Sequence, residues 1–148
     1  MTVELFGTDD RARMSEAIAV RIEVFVDEQR ITLEDELDGH DEAGDPQAVH
    51  ALVRDAGGNV LAAGRYYRAD ERTVQIGRMA VRAAARRSGI GRRLLDALME
   101  DARRRGYVRA TLNAQDHAVG FYAGAGFAAL GAPFIECDIP HQGMERTL

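Results

Sequence analysis

The residues with the clearest chemical potential form the turn at 86–91, which reads Arg-Arg-Ser-Gly-Ile-Gly and joins two apolar stretches. Residues 74–81, before it, partly alternate between apolar and polar side chains, as a half-buried strand does. After it, apolar residues recur at helical spacing, at Ile90, Leu94, Leu95, Leu98, Met99 and Ala102. The first turn of such a helix has unpaired backbone N–H groups, and glycines let a ligand approach them closely. The pattern therefore predicts an anion site, best suited to a pyrophosphate.

Two common nucleotide-binding patterns do not fit this turn. A dinucleotide-binding fold requires Gly-x-Gly-x-x-Gly, and Leu94 stands where the third glycine belongs. A P-loop requires a lysine after its second glycine, and all 19 basic residues of this chain are arginine. The predicted phosphate site therefore belongs to another class.

Two motifs resemble those of the GCN5-related N-acetyltransferases, the GNAT superfamily. Residues 86–91 contain Arg-x-x-Gly-x-Gly, which looks like the acetyl-CoA-binding motif of that superfamily. Residues 115–127 contain Gln-x-x-Ala-x-x-x-Tyr-x-x-x-Gly-Phe, which is similar to a later superfamily motif that usually begins with Asn. Their order, with a predicted helix and strand between them, agrees with the superfamily.

Further segments resemble the ElaA/YjcF-type subgroup of the superfamily. They are residues 21–29 (Arg-x-x-Val-Phe-Val-x-Glu-Gln), 76–78 (Ile-Gly-Arg), 114–115 (Ala-Gln) and 139–144 (Ile-Pro-His-x-x-Met). The resemblance covers nearly the whole chain. It implies a mixed α/β fold of the GNAT type, with a central, mostly antiparallel sheet flanked by helices.

The resemblance also implies a cofactor site for acetyl-CoA as co-substrate. Backbone groups of Met79 and Val81 are expected to pair with the pantetheine amides, as another strand would. A strand N–H is the expected oxyanion donor, and Gln115 is expected to hold the pantetheine arm or order water. The residues expected around the pyrophosphate are Arg86, Arg87, Ser88, Gly89, Ile90, Gly91 and Arg92. The side chains of Arg86 and Arg87 either add charge-assisted bonds or remain solvated.

Tyr122 occupies the superfamily's tyrosine position and is the candidate general acid for the departing thiolate. The alternative is a core tyrosine that only packs against Phe121 and Phe127. The attacking amine also requires a base or a desolvating pocket, because alkyl ammonium groups have pKa values of about 10.4. The plausible bases are Glu23, Glu28, Asp35, His50, Glu136 and His141. We select His141 and Glu136, since histidine titrates near neutrality and His141 lies in the Ile-Pro-His segment.

Charge is unevenly distributed along the chain. Residues 27–45, here called the acidic stretch, contain nine acids and one arginine, whereas residues 82–105 contain eight arginines and three acids. The basic residues suit the phosphates of CoA. The acidic stretch either lies at the acceptor mouth, where it favours a cationic amine, or forms an exposed loop.

Length and composition limit the remaining possibilities. The 148 residues suit a single domain, 1–148, and the formal net charge of −5 argues against a nucleic-acid partner. The one cysteine, Cys137, excludes an internal disulfide. Residues 35–42 lack EF-hand spacing, so we expect no metal. No apolar run has membrane-spanning length and no leader is recognisable, so we expect a cytoplasmic protein with no membrane partner.

The pattern of apolar residues and turns predicts the order of elements. The predicted helices are 11–29, 89–105 and 117–124, and the predicted strands are 2–6, 50–54, 60–68, 73–81 and 108–114, with a hairpin turn at 56–59 and two more strands around Pro140. Residues 30–46 are predicted to be irregular. In the first helix, the expected buried face comprises Met14, Ile18, Ile22, Phe25 and Val26.

These observations favour an acetyl-CoA-dependent N-acetyltransferase that acts on a primary amine of a small molecule or peptide. The alternative is a non-enzymatic acyl-CoA sensor that acts through a protein partner. A third possibility, an acyl-homoserine-lactone synthase, is disfavoured because such sequences usually lack the glycines found at Gly89 and Gly91. A homodimer that pairs C-terminal strands is plausible.

Overall fold

A single eight-stranded sheet forms the centre of the molecule. The structure is a computed structural model that describes residues 1–41 and 45–148, so Glu42 of the acidic stretch lies outside the described residues. The strands are β1 (Thr2–Gly7), β2 (Val49–Arg54), β3 (Val60–Arg68), β4 (Thr73–Val81), β5 (Arg109–Gln115), β6 (Ala128–Ala129), β7 (Phe134–Glu136) and β8 (Ile139–Thr147). Their order is β1-β2-β3-β4-β5-β8-β6, and β7 pairs with β8. Among the described strands, only β4 and β5 pair in parallel, which confirms the mixed, mostly antiparallel sheet.

Helices cover both faces of the sheet. They are α1 (Arg11–Arg21), a π-helical segment (Ile22–Glu28), α2 (Leu33–Glu36), α3 (Ile90–Arg104) and α4 (Val119–Gly124). Short 3-10 turns occupy Gly39–Asp41, Ala83–Ala85 and Asp116–Ala118. No helix of the described chain has both the length and the apolar character needed to cross a membrane.

The amphipathic pattern of α3 is confirmed. All six apolar residues that the sequence places on one face are buried, and they pack in one core cluster with the inner residues of β2 to β5. A second cluster lies under α1 and includes Met14, Val20, Leu52 and Ala63. The sheet is therefore covered on both faces, as the mixed α/β prediction requires.

The first helix differs from its prediction. Its α-helical part ends at Arg21, and wider π-type turns carry the chain on to Glu28. The buried residues are Met14, Ala17, Val20, Arg21, Val24 and Phe25, whereas Ile18, Ile22 and Val26 are only half-buried. Two causes fit this change: the small residue Ala17 lets α1 approach the sheet, and π-type turns alter the spacing of the residues on one face.

Two further predictions need correction. The region predicted to be irregular contains α2 and the turn at Gly39–Asp41. Pro140 does not separate two strands but lies inside β8, and the β7–β8 turn is formed by Cys137 and Asp138, both with positive φ. A proline is accommodated there because the pairing of β8 with β5 begins only at His141, so on that side Pro140 removes no ladder hydrogen bond.

Candidate active site

The sheet opens between β4 and β5. Their parallel pairing covers only Thr73–Ile76 of β4 and 109–112 of β5, although both strands continue beyond it. The amide of Arg82 donates to the Leu61 carbonyl on β3. Because the backbone groups of consecutive strand residues point to alternate sides, the N–H and carbonyl of Val81 point away from β3, toward the opening. The end of β4 therefore presents an edge that pairs with no further strand of the described chain, here called the open edge.

A bulge distorts β4 beside the opening. Gly77 pairs with Arg65 and Ala80 pairs with Ala63, so Arg78 and Met79 together stand opposite Gly64. Arg78 has a φ of 52°, a conformation that L-residues rarely adopt. A Cβ on Gly64 would collide with the Met79 sulfur, which explains the glycine. Bulges of this kind redirect backbone groups and are common beside active sites.

The turn that enters α3 lies directly after the open edge. Gly89 is the N-cap with a φ of 81°, and Arg87 also has positive φ. Within the described chain, no acceptor pairs with the amides of Ile90, Gly91 and Arg92 in the first turn of α3. Residues 86–89 are exposed. The turn therefore offers several free N–H donors at the positive end of a helix dipole.

The arginines of this turn are not all directed at an anion. Arg86 Nε donates to the Val81 carbonyl at 2.9 Å, and Arg86 Nη2 lies 2.5 Å from Glu28 Oε2. Arg92 pairs with Asp96 at 3.0 Å. Ser88 donates its hydroxyl to the Ala85 carbonyl, which stabilises the turn. Among the predicted phosphate ligands, the groups without a partner in the described residues are the backbone amides and the exposed side chain of Arg87.

Tyr122 lies in an aromatic group beside this turn. Its ring is 8% exposed and packs edge-on against Phe121 and Phe127, at centroid distances of 5.0 and 5.9 Å. The side chains of Phe121 and Val81 both lie next to Gly91. The Tyr122 hydroxyl makes no hydrogen bond within the described residues, yet it is not among the fully buried unpaired atoms. Burial raises the pKa of Tyr122 above its usual value, so its phenol is protonated at neutral pH.

Gln115, at the end of β5, contacts Gln29, the residue that directly follows the π-helical segment, across the opening. Its Nε2 donates to Gln29 Oε1 at 2.7 Å. His141 of β8 stands directly opposite Gln115, so both side chains lie on the same face of the sheet. The sequence did not predict the contact with Gln29, although Gln29 ends one of the subgroup-like segments.

The two selected base candidates come close to each other on the β7–β8 hairpin. His141 is 8% exposed and stacks on Phe134, and its Nδ1 lies 2.7 Å from the Ile139 carbonyl. A carbonyl only accepts, so Nδ1 carries the proton and Nε2 of the neutral ring has a free lone pair. Glu136 Oε2 lies 4.0 Å from that Nε2. The geometry suits His141 to accept a proton.

The other base candidates are less well placed. His50 is buried on β2, away from the opening, and its Nε2 contacts the His40 carbonyl. Glu28 is paired with Arg86. Glu23 lies 3.1 Å from Arg82 Nε, but the contact lacks hydrogen-bond geometry. Asp35 is exposed, 4.0 Å from the Cys137 thiol.

Sequence reasoning missed a buried ionic cluster that borders the bulge. Three arginines from α1, β3 and β4 meet three carboxylates of the acidic stretch, and the members are Arg21, Arg65, Arg78, Glu36, Asp38 and Asp41. These carboxylates are engaged by arginines, so they are not free to attract an amine. The available signal was an arginine, Arg21, among apolar residues of the first helix.

The comparisons with known proteins agree with this geometry. Residues 19–148 match the acetyltransferase (GNAT) domain family. YjcF of Bacillus subtilis, an uncharacterised N-acetyltransferase, is 33% identical over 135 residues, which are 90% of this chain and 92% of that protein. The crystal structure of an acyl-CoA N-acyltransferase from Pseudomonas aeruginosa is 32% identical with a TM-score of 0.85, and that of Escherichia coli ElaA is 28% identical with a TM-score of 0.86. Each of these two matches covers 98% of both chains. The chain therefore belongs to the GNAT family of acetyltransferases and, within it, to the ElaA/YjcF type.

Proposed function

We propose that this GNAT acetyltransferase uses acetyl-CoA and transfers the acetyl group directly to a primary amine of a small molecule or peptide. One observation carries the proposal: the open edge of β4 leads straight into a turn of free amides at the start of α3. A strand edge suits the amide-rich pantetheine arm, and the amides of a helix start suit a diphosphate.

The residues present fit this cofactor. Met79 and Val81 supply backbone partners along the open edge, and the amides of 89–92 supply donors for the diphosphate. The turn is exposed, so a bulky nucleotide has room beside it. The cofactor supplies the acetyl thioester, which this arrangement directs toward the bulge at Arg78 and Met79.

The residues around the opening supply the proton transfers. His141 Nε2 accepts the proton of the ammonium acceptor, which leaves a neutral amine to form the new C–N bond. A backbone N–H of β4 near the bulge stabilises the charge that develops on the carbonyl oxygen. Tyr122 donates its proton to the departing sulfur as the C–S bond breaks, and the second proton that the nitrogen releases on becoming an amide restores the phenol. The proton taken up by His141 passes to solvent.

The test is release of CoA thiol from acetyl-CoA with a panel of primary amines. We expect saturable turnover with at least one amine, and a loss of kcat of about 10²- to 10⁴-fold in Tyr122→Phe, as for removal of a general acid. The Kd for CoA should not change, because only the hydroxyl is removed.

Tyr66→Phe is the matched control. It also removes a hydroxyl from a buried ring, but that hydroxyl donates to Asp101 at 2.6 Å on the α3 side of the core. It should lower stability and leave kcat unchanged. Binding of CoA without turnover of any amine would contradict the enzyme proposal and favour the acyl-CoA sensor. The further test of the sensor is whether a protein partner is captured only when the cofactor is present.

A further inference from the structure

The Arg86 side chain connects the open edge of β4 to the π-helical segment. Its Nε donates to the Val81 carbonyl at 2.9 Å, while Nη2 lies 2.5 Å from Glu28 Oε2. The two partners of the pair, Arg86 and Glu28, are 58 residues apart in the chain. One guanidinium therefore occupies a strand-edge acceptor and a carboxylate at the same time.

The end of the π-helical segment spans the opening. Glu28 reaches Arg86, beyond the end of β4, and the next residue, Gln29, reaches Gln115 at the end of β5. The consecutive residues Glu28 and Gln29 thus contact the two sides of the opening, one on the β4 side and the other on the β5 side. The position of Arg86 depends on this segment as well as on its own turn.

The Val81 carbonyl is a group for which Arg86 and the cofactor would compete. The proposed function, on which this inference rests, gives that carbonyl to a pantetheine amide. In the structure, the guanidinium covers it and is held there by the carboxylate of Glu28. The same guanidinium is one of two arginine charges, with Arg87, next to the amides of the α3 turn.

We infer that Glu28 is a positioning residue that holds Arg86 over the open edge and thereby weakens cofactor binding. The diphosphate competes with Glu28 for Arg86, so cofactor binding separates the pair and uncovers the Val81 carbonyl. By linkage, whatever removes the carboxylate makes cofactor binding tighter.

Exposure limits the size of the effect. The Arg86 and Glu28 side chains are 43% and 36% exposed, so solvent screens the pair. Exposed pairs of this kind correspond to changes of about fivefold or less in an equilibrium constant. We therefore expect Glu28→Gln to bind CoA about two- to fivefold more tightly than the wild type.

The experiment is calorimetric titration of the wild type and Glu28→Gln with CoA. Glu23→Gln is the matched control for binding, because it removes the same charge from the same π-helical segment, where Glu23 lies by Arg82 with similar exposure, 47% against 36%. It should leave the Kd for CoA at the wild-type value. If both variants bound CoA more tightly than the wild type, the cause would be the loss of a negative charge in general, and the inference would be overturned.

A double-mutant cycle isolates the contact with Arg86. In an Arg86→Met background, Glu28→Gln should no longer change the Kd for CoA. The role of Glu28 would be refuted if Glu28→Gln still lowered the Kd for CoA in the Arg86→Met background. It would also be refuted if Glu28→Gln bound CoA no more tightly than the wild type. Either result would leave the proposed function intact. A folded wild type that binds no CoA would instead reject the proposed function, and this inference with it.

Discussion

Arg21 and Asp41 form a doubly hydrogen-bonded ion pair in the protein interior. Nη1 lies 2.6 Å from Oδ1 and Nη2 lies 3.0 Å from Oδ2, with side-chain exposures of only 1% and 6%. Burial would raise the pKa of Asp41, but the hydrogen bonds and charge of Arg21 lower it below its usual value. The pair fixes the acidic stretch to the end of α1, and Arg65 extends it to β3.

Loss of Arg21 should therefore be costly. In Arg21→Met the carboxylates of Asp41 and Glu36 lose their main partner while they remain buried, and the expected loss is about 3–5 kcal/mol in the free energy of unfolding. Urea denaturation measures this loss. Arg103→Met removes an exposed arginine whose pair with Glu100 is 59% and 46% exposed, and should cost far less stability than Arg21→Met, because solvent screens an exposed pair. Equal losses in both variants would show that the buried cluster does not matter for stability.

His50 should make stability depend on pH. Burial, with the charges of Arg65 and Arg21, lowers the pKa of His50 below 6.5, against opposing contributions from the His40 carbonyl and Asp41. Between the folded and unfolded pKa values the unfolded chain binds more protons, so stability rises with pH and is lost as pH falls below about 6.5. The free energy of unfolding, measured from pH 7.5 to 5, should fall less steeply in His50→Gln.

The matched control for this pH dependence is His117→Gln. His117 is an exposed histidine of the turn after β5. Its replacement should keep the wild-type slope. A wild-type slope in His50→Gln as well would assign the pH dependence to other groups.

The turn at the start of α3 can be tested without gross strain. Gly89 has positive φ, a Cβ at this position would meet no atom within 4 Å, and asparagine tolerates that conformation better than other residues do. Gly89→Asn should fold and weaken CoA binding by about tenfold or more, because its side chain intrudes on amides that are expected to make charge-assisted bonds. Gly106→Asn places the same residue at positive φ just after α3, and should leave the Kd unchanged. If Gly89→Asn also bound CoA normally, the turn would not be the phosphate site.

His141 should be required for turnover. His141→Gln removes the Nε2 lone pair, and we expect kcat to fall about 10²- to 10⁴-fold, as for removal of a general base. Glu136→Gln should have a smaller effect, because Glu136 is 4.0 Å from Nε2 and its side chain is 55% exposed. An unchanged kcat in His141→Gln would indicate another base or ordered water.

Local sequence patterns gave reliable predictions for features that depend on residues close together in the chain. The α3 face, the glycine at its N-cap and the hairpin turn before Val60 all follow from neighbouring residues, and each is found in the structure. The first helix was predicted less well. Its buried face includes Arg21, whose charge is compensated by the carboxylates of Glu36 and Asp41, which are distant in the sequence. The spacing of apolar residues alone therefore predicted the wrong set of buried residues.

The site itself divides in the same way. The motifs predicted a cofactor-binding turn at 86–91 and a tyrosine of the superfamily motif at Tyr122. Membership of the GNAT family supports both predictions. The partners of Arg86 and Gln115 were not readable, because each lies in a segment that comes near only after α1 packs on the sheet. Their roles as ligands of the cofactor remain predictions.

The sequence by itself determined the family, the order of the central elements and the position of the glycine-containing turn before α3, because each is encoded in residues close together in the chain. Only the tertiary structure decided which charges are buried, where β4 leaves β5, and which side chains span that opening. The contacts Glu28–Arg86 and Gln29–Gln115 join residues 58 and 86 positions apart. Such contacts depend on how strands separate and helices pack, which no local pattern of residues records.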